Sequence, residues 1–543
     1  MPTHQVTNQT PSLEGLDLFG SDPVLGPAVD AEGGHGHRPL LHRYGSRLGS
    51  AETIRWGVEA NIHHPTLLTH DRHGYRIDRV EFHPAWHALM ELSVSHLVHA
   101  LPWVSDEGGF VARSAQMMMM AGIEAGHGCP ISMTAAALPA LRHAPQLATE
   151  WEPRLVSDRY DPSFLPAADK AGALMGMGMT EKQGGSDVRA NTTTATPDVG
   201  PWYRVRGHKW FTSAPMCDAF LILAQAPGGL SCFFLPRHLP DGSVNDIRIQ
   251  RLKDKLGNRS NASAELEFEN AAAHLVGEEG KGVATIIEMV NGTRLDCVSG
   301  STGLMRQAVM QAAHHCSHRM AFGSPLVDKP AMQMVLADLE VETEAATLLM
   351  TRLAGSFDRA GTDSHEALVK RILTPVAKYW VTKRCTAVVR EAMECLGGNG
   401  YVEESLLPRI FRESPLNAIW EGSGNVIALD VVRVASREPQ ALEALRSELN
   451  RTRGHDATFD RYVDATWDLA LGPVDPEAQA RRLTERLAIA TQAHLLIDRG
   501  PETTATAFLK SRVAGDHGNL FGTQPLGPEV KALAQVAVPD GVA

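Results

Sequence analysis

The sequence predicts an α+β protein in which a helical segment, a small antiparallel β domain, a helical bundle and an added helical segment follow one another. This prediction rests on two changes in the spacing of the apolar residues. Helical spacing dominates up to residue 148, short alternating runs begin at Met175, and long stretches of helical spacing return after Gly280. At 543 residues the chain is too long for one simple core, which agrees with several domains. We divide it into residues 1–174, 175–279, 280–437 and 438–543.

The first segment combines an irregular beginning with helices. Residues 1–40 are rich in Pro, Gly, Asp and Ser, which predicts an arm or extended tail. Residues 51–148 have helical spacing, most clearly over 85–101 and 110–124. The breaks between the helices are predicted at Pro139, Pro145 and Pro153.

The second segment has the spacing of strands. Met175 to Thr180 alternates in the manner of a strand, and five β-type runs follow, separated by Gly, Pro and Asp. These runs are 203–205, 220–223, 231–235, 247–252 and 264–268. The sequence therefore predicts a small antiparallel β domain.

The last two segments are predicted to be helical. Long helices are expected over 284–320, 332–359 and 366–396, with Pro375 as a kink or break in the third. Small and apolar residues on one face of the second helix are typical of a helical bundle. After residue 438 the composition shifts to Glu and Arg with Ala and Leu, and helical spacing continues to residue 533.

Charge, cysteine content and the first residues limit the class of protein. The chain has 51 Lys and Arg against 63 Asp and Glu, and a net charge of −12 argues against a broad nucleic-acid surface. Seven scattered cysteines without a Cys-x-x-Cys pair indicate reduced thiols. His83 and His87 are four residues apart, as are His314 and His318, but neither pair has the Glu of a zincin and no Cys/His cluster has zinc-finger spacing, so we predict no metal site. Residues 1–8 lack the features of a signal peptide, and no apolar run is long enough to span a bilayer. We expect a soluble, cytoplasmic protein without a bound metal and without a membrane partner.

One carboxylate stands out in the stretch from Ala418 to Arg433. Glu421 lies between Trp420 and Gly422, and a Gly-Ser-Gly sequence follows it. An acid beside an aromatic wall is a stronger base because desolvation disfavours its charged form, and the glycines let the backbone approach a ligand closely. The alternative is an ordinary helix N-terminus, capped by Ser423 or Asn425, with Glu421 complementing the helix dipole.

Two further stretches have the composition of a ligand site. Residues 180–187 combine the hydroxyls of Thr180 and Ser186 with two glycines, which allow backbone N–H groups to face a flat or phosphorylated ligand. The alternative is a turn between strands. Residues 210–213, Trp-Phe-Thr-Ser, offer an aromatic plane beside two hydroxyls and would suit a ring system, or simply the core of the β domain.

Together, these motifs resemble the acyl-CoA dehydrogenase family, whose members are FAD-dependent enzymes. The resemblance extends in order over residues 50–437 and includes Lys255-Leu-Gly-Asn-Arg-Ser, Arg319-Met-Ala-Phe-Gly-Ser-Pro and Glu391-Ala-Met-Glu-Cys-Leu-Gly-Gly-Asn-Gly. The sequences of residues 82–87, 155–161, 251–263 and 419–425 are similar to those of the AidB branch, which belongs to the adaptive response to DNA alkylation. The resemblance implies the acyl-CoA dehydrogenase fold: an N-terminal helical domain, an antiparallel β-barrel domain and a helical bundle, here with an added C-terminal helical domain.

The resemblance also implies a set of site residues. Glu421 would be the catalytic base, and Asn291 and Arg294 would face the substrate. Asn291 stands where many members have an Asp and cannot supply its charge. Arg319 would meet the FAD pyrophosphate across a subunit boundary, where a bidentate cation is suited to phosphate. The implied FAD contacts are Met177, Met179, Thr180, Gly185, Ser186, Trp210, Phe211, Thr212, Ser213, Arg319, Phe322, Gln333, Glu394, Gly397, Gly398, Ile419, Ser423, Asn425 and Leu429.

The implied reaction is the oxidation of an acyl-CoA thioester with a short or branched acyl chain. Glu421 would remove the α-proton, which hydrogen bonds to the thioester carbonyl make more acidic, and the β-hydrogen would pass to the flavin as a hydride. The base and the flavin would have to lie on opposite faces of the acyl chain. The family implies a homotetramer, arranged as a dimer of dimers, and an electron-transfer acceptor for the reduced flavin.

For the last segment, the AidB branch implies binding of double-stranded DNA. Residues 437–543 contain 12 Lys and Arg against 15 Asp and Glu, whereas a duplex-binding module should present a basic face. The residues that could form such a face are Arg451, Arg453, Arg481, Arg482, Arg486, Lys510 and Arg512. The alternatives are ordinary solvated helix faces or a tetramer contact. Three hypotheses follow: a dehydrogenase, a DNA-protecting flavoprotein with little or no turnover, and a flavin-stabilised oligomer with neither activity.

Overall fold

A computed structural model describes residues 3–472, 475–525 and 527–539. The chain forms two compact units. Unit 1 comprises residues 1–51, 106–123 and 297–543, and unit 2 comprises residues 52–105 and 124–296. The first predicted segment, residues 1–174, contributes to both units, so the fourfold division remains a prediction from composition. In the described residues, no helix is both long and apolar enough to cross a membrane.

Unit 2 begins with helices and a β-hairpin. Its elements, numbered along the whole chain, are α3 (Ala51–Ile62), β1 (Thr66–His70), β2 (Arg76–Glu81), α4 (Pro84–Ser95), α5 (Leu101–Val104), α7 (Gly128–Leu141) and α8 (Pro145–Leu155). The hairpin corrects the prediction of helix throughout 51–148. Its turn is fixed because the Asp71 carboxylate accepts hydrogen bonds from the backbone N–H groups of His73 and Tyr75, while Gly74 adopts a φ of +87°.

The β domain of unit 2 closes on itself. Its strands are β3 (Met175–Gly178), β4 (Thr194–Pro197), β5 (Trp202–Ser213), β6 (Ala219–Ala226), β7 (Gly229–Pro236), β8 (Ile247–Leu252) and β9 (Ser263–Val276). Pairing runs from β6 through β4, β5, β9 and β7 back to β6, which makes a barrel without an open edge in that ring. The predicted β barrel is confirmed, and its pairings are antiparallel except that β3 and β4 each pair with β6 in parallel.

Unit 1 is almost entirely helical. Its elements are α1 (Leu25–Ala31), α2 (Arg38–Leu48), α6 (Gly109–Ile123), α9 (Gly282–His318, which begins in unit 2), β10 (Met320–Ala321), β11 (Ser324–Pro325), α10 (Pro330–Arg359), α11 (Ser364–Cys395), α12 (Leu407–Glu413), α13 (Gly424–Arg437), α14 (Pro439–Leu449), α15 (Ala457–Leu471), α16 (Pro476–Arg499), α17 (Glu502–Phe508) and α18 (Val530–Val536). The predicted α+β class is therefore confirmed.

Two predictions for unit 1 are wrong. Residues 25–40 are not extended, because Leu25, Val29 and Leu41 are fully buried and drive helices α1 and α2 despite the Gly- and Pro-rich composition. Helix α11 also continues past Pro375, so the break allowed for there is wrong, whereas the kink stays a prediction. In each case tertiary burial outweighs the local preference of the sequence.

Buried ion pairs hold the C-terminal helices to the bundle. Arg512 donates hydrogen bonds to Asp338 and, at 3.1 Å, to Glu342, both on α10. Arg384 on α11 also pairs with Glu342, because two of its guanidinium nitrogens donate to the carboxylate oxygens at 2.9 Å. The side chains of Arg512, Asp338 and Glu342 are each at most 8% exposed. These helices are therefore fixed to the bundle by desolvated charges as well as by apolar packing.

Candidate active site

In unit 2, a buried ion pair organises the loop that follows β3. The Lys209 ammonium lies 2.7 Å from the Glu181 carboxylate, and both side chains are fully buried. Glu181 also accepts hydrogen bonds from the backbone N–H groups of Thr192 and Thr193 at 2.7 and 3.2 Å. Burial alone would raise the pKa of Glu181, but the hydrogen bonds from Lys209 and Thr192 outweigh it and lower the pKa below its ordinary value. The carboxylate therefore stays charged and ties both ends of the 181–193 loop to β5.

The same loop is held against the strand by its backbone. The N–H of Trp210 donates to the carbonyl of Thr180 at 2.8 Å, and the Asn191 amide donates to the carbonyl of Met179 at 2.9 Å. A Cβ on Gly185 would lie 2.4 Å from the Thr180 hydroxyl, so only glycine fits there. Met177 and Met179 are half-buried, whereas Ser186 is exposed. The predicted contacts of this loop thus lie together around the end of β3.

The Trp-Phe-Thr-Ser stretch lies at an irregularity of β5. The register with β9 shifts between Lys209 and Thr212, and Phe211 at this irregularity is 53% exposed. The Lys253 ammonium lies 3.3 Å from the centre of the Trp210 ring, a cation–π contact. Ser213 Oγ lies 3.3 Å from Ser263 Oγ. Among the described residues, the buried Thr212 hydroxyl has no hydrogen-bond partner, which would be costly unless a ligand supplies one.

Replacing Lys209 by Met should lower the stability of unit 2 by about 3–5 kcal/mol, because Glu181 would remain buried without its cation. Urea unfolding followed by tryptophan fluorescence measures the change. Lys182→Met is the matched control, since Lys182 is 54% exposed and lies 3.8 Å from Glu267. The control should cost less than about 1 kcal/mol. Equal unfolding midpoints for the two variants would contradict the conclusion that Lys209 compensates the buried charge of Glu181.

In unit 1, Glu421 lies in a short strained loop between the 3₁₀ turn Leu416–Ala418 and α13. Its φ is +55°, a left-handed conformation that costs a non-glycine residue about 1–2 kcal/mol. The preceding Trp420 indole donates to the side-chain oxygen of Asn417 at 2.7 Å, and the Asn417 amide donates to Ser301 at 3.0 Å. Ser423 occupies the N-cap position of α13, but its side chain makes no capping bond. Strain at a half-buried acid is typical of a functional residue.

A buried lysine that sequence reasoning missed supports this loop. Lys378 on α11 is 1% exposed and donates to the carbonyls of Trp420 at 2.9 Å and Gly422 at 2.5 Å. Its signal in the sequence is a single cation within the apolar stretch 372–381. The Glu181–Lys209 pair was missed as well, although Glu181 lies in the 180–187 stretch and Lys209 directly precedes the 210–213 stretch.

The other predicted contacts of unit 1 lie in several places. Arg319 donates to the backbone carbonyl of Asn8 at 2.6 Å, and Phe322, in the β10–β11 turn, is 99% exposed with a φ of +50°. Gln333 lies half-buried in the first turn of α10. At the end of α11, the three predicted contacts are exposed: Glu394, Gly397 and Gly398. Near and within α13, three predicted contacts are exposed and one is half-buried. The exposed ones are Ile419, Ser423 and Asn425, and the half-buried one is Leu429.

The predicted substrate residues both lie on α9 in unit 2. Arg294 is buried and Asn291 is half-buried. Between them, the Thr293 hydroxyl donates to the backbone carbonyl of Val290 at 3.0 Å. A threonine side chain has no carboxylate, so Thr293 cannot serve as the base and Glu421 remains the candidate.

Most of the residues predicted for DNA make contacts within unit 1. Arg512 is buried in the ion pairs described above, and Arg486 donates to Thr466 and to the backbone of Tyr462. Neither guanidinium can therefore contribute fully to an exposed basic face. The remaining contacts are Arg453 with Asp464 at 2.8 Å, Arg481 with the Tyr379 hydroxyl at 3.0 Å and Lys510 with Glu529 at 3.0 Å. Arg451 and Arg482 are exposed.

Comparison with known proteins decides the family. Three family models match: the adaptive response protein AidB N-terminal domain over residues 8–162, the acyl-CoA dehydrogenase middle domain over 176–271 and the acyl-CoA dehydrogenase C-terminal domain over 280–436. The chain is 49% identical over 464 residues to AidB of Escherichia coli (strain K12), which covers 85% of this chain and 86% of that protein. The chain belongs to the AidB branch of the acyl-CoA dehydrogenase family. The predicted family, fold and enzyme class, an oxidoreductase of the acyl-CoA dehydrogenase type, are thereby confirmed.

Solved structures agree with this assignment. Caenorhabditis elegans ACDH-11, in complex with C11-CoA, is 27% identical with a TM-score of 0.84, over 99% of this chain and 93% of that one. An acyl-CoA dehydrogenase from Bacillus anthracis, complexed with FAD, is 18% identical with a TM-score of 0.66, over 84% of this chain and 83% of that one. The second likeness shows the fold alone. Family members bind FAD, which makes the β3–β5 region the first place to test for it.

Proposed function

We propose that this protein is an FAD-dependent dehydrogenase of short or branched acyl-CoA thioesters, with Glu421 as the base. The observation that carries the proposal is the left-handed backbone of Glu421, a strained acid that follows Trp420 in the chain. The resemblance to the family implies the role of base for this residue. The cofactor assignment is supported by the unpartnered Thr212 hydroxyl and the exposed Phe211 ring, which suit the edge and the face of an isoalloxazine. Met177, Met179, Thr180 and Ser213 would complete that part of the site.

The residues of this chain would divide the chemistry between them. The Glu421 carboxylate would accept the α-proton of the thioester as the α–β double bond forms. Bound FAD would supply the two-electron acceptor for the β-hydrogen. Because a proton transfer depends on the position of the base, the fixed loop around Glu421 would contribute much of the rate. Arg294 and Asn291 would bind the CoA part, without the negative charge that an acid at position 291 would provide.

The test begins with the purified protein and its bound flavin. Isovaleryl-CoA and straight-chain acyl-CoA thioesters are added under anaerobic conditions, and the flavin absorbance band is followed. We expect bleaching with at least one thioester and none with free CoA. A colourless protein that takes up no FAD would overturn the cofactor assignment, and a flavoprotein that no thioester bleaches would overturn the substrate class.

We also propose that the active form is a homotetramer, arranged as a dimer of dimers. The support is the β10–β11 turn, where Phe322 is 99% exposed and Met320 is 47% exposed beside Arg319. Apolar side chains in such a position suit burial by a second copy of the chain. Light scattering on a size-exclusion column gives the mass, and a monomer at micromolar concentration would contradict the proposal.

The second candidate is a flavoprotein that binds double-stranded DNA and has little or no catalytic turnover. Exposed Arg451 and Arg482 favour it, but the contacts of Arg486 and Arg512 within unit 1 weaken the predicted basic face. A salt titration of duplex binding by the wild type and by Arg451→Ala/Arg482→Ala tests it. An unchanged affinity and salt slope would remove this surface from consideration.

A further inference from the structure

Lys378 contacts the backbone on both sides of Glu421. Its ammonium donates to the carbonyl of Trp420, the residue before the proposed base, at 2.9 Å. It also donates to the carbonyl of Gly422, the residue after it, at 2.5 Å. Both contacts are charge-assisted, which makes them stronger than ordinary hydrogen bonds. One cation therefore binds the carbonyl of the residue before Glu421 and the carbonyl of the residue after it.

This arrangement explains how the strained backbone of the loop persists. A left-handed φ at a non-glycine residue survives only where the surrounding structure holds it. The carbonyls of Trp420 and Gly422 converge on Lys378 while Glu421 between them has a φ of +55°. If the ammonium were removed, the two carbonyls would lose a common donor and the loop could relax.

The burial of the Lys378 ammonium carries a desolvation cost. Lys378 is 1% exposed and lies on α11 among Leu373, Val376 and Ala377, all fully buried. An ammonium in such a place is unfavourable unless acceptors compensate it, and an apolar side chain would pack there at lower cost. The carbonyls of the Glu421 loop are acceptors that justify a cation at this position.

We propose that Lys378 is a positioning residue for Glu421, which it holds in the left-handed conformation that directs the carboxylate toward the substrate. This inference rests on the proposed function of Glu421 as the base. Lys378 itself contacts neither the substrate nor the cofactor in this account. Its contribution is made through the two carbonyls that bracket the base.

The first experiment measures the loop directly and needs no substrate. Hydrogen exchange of the apoprotein, followed by mass spectrometry, compares wild type, Lys378→Met and Lys378→Arg over the peptide 416–424. Lys370→Met is the matched control, because Lys370 lies on the same helix and its ammonium is 4.7 Å from the centre of the Phe357 ring. We expect faster exchange in Lys378→Met over 416–424 alone, with recovery in Lys378→Arg. Exchange equal to that of Lys370→Met would overturn the proposal.

The second experiment measures the base. Exchange of the thioester α-proton with D2O, followed by NMR, reports proton removal without net oxidation. Lys378→Met should slow this exchange by about 10- to 100-fold at saturating thioester, with KM nearly unchanged, since misplacing a catalytic group by about 1 Å costs on that order. Lys378→Arg should recover most of the rate. A loss confined to KM, or no loss, would count against a positioning role.

The two proposals fail in different ways. If Glu421→Gln still exchanges the α-proton, the proposed base is wrong, while the loop measurement on the apoprotein continues to test the Lys378 contacts. If Glu421→Gln is inactive but Lys378→Met behaves as Lys370→Met in both experiments, only the positioning role is wrong. Should Lys378→Met not fold, Lys378→Gln, which keeps a neutral donor, is measured in its place with the same expected order of rates.

Discussion

Glu421→Gln is expected to slow the reduction of bound flavin by an acyl-CoA thioester about 10²–10⁴-fold, the usual contribution of a positioned general base. Gln has nearly the size of Glu, so the contacts of Trp420 and Gly422 with Lys378 should be kept. It cannot accept the α-proton, because its amide is not basic. Anaerobic stopped-flow absorbance measures the rate, and titration of the apoprotein with FAD checks that cofactor affinity is retained.

Glu443→Gln provides the control for this prediction. Glu443 lies on the exposed face of α14 in the same unit, so the same chemical change is made away from the proposed site. It should reduce flavin at the wild-type rate. A Glu421→Gln variant that is as fast as Glu443→Gln would show that another group removes the proton.

Arg512→Met is expected to lower the free energy of unfolding of the helical unit by about 3–5 kcal/mol. The change removes one cation from Asp338 and Glu342, which are 3% and 2% exposed. Arg384 would still pair with Glu342, but Asp338 would lose its guanidinium and keep the backbone N–H of Gly522 at 2.9 Å. Circular dichroism during urea unfolding at neutral pH measures the loss.

Lys510→Met is the natural comparison, because it removes a cation two residues away. The Lys510 side chain is 47% exposed and pairs with Glu529, so its removal should cost less than about 1 kcal/mol. Both residues were predicted to bind DNA, so the comparison shows whether Arg512 serves the stability of the fold instead. Indistinguishable unfolding curves would mean that the Arg512 ion pairs contribute little to holding the C-terminal helices.

The sequence predicted those parts of the structure that local patterns determine. Strands β5 to β9 were found because turn residues separate short β-type runs, and the long helices were found by their apolar spacing. The β1–β2 hairpin was missed because Arg76, Asp78 and Arg79 hide its alternation among charges. Helices α1 and α2 were missed because their stability comes from burial against the rest of unit 1.

For the site, motifs gave the residues but not their partners. Glu421 and the Thr180 and Trp210 stretches were singled out by their residue types, and the resemblance to a family then implied their roles. Lys209 and Glu181 are 28 residues apart, and Lys378 is 42 residues from Trp420, so no local pattern joins them. The left-handed backbone of Glu421 was not predictable either, because Glu has no preference for it.

At position 421, the proposed catalytic role and the stability of the loop favour different residues. Glycine adopts a φ of +55° without strain, so Glu421→Gly would relieve the loop while it destroyed the proposed base. A lineage that no longer needed turnover would have an easy, stabilising route to lose this acid. Under the proposed function, the strain at Glu421 is therefore a loss of stability that accompanies the placement of the base at this position.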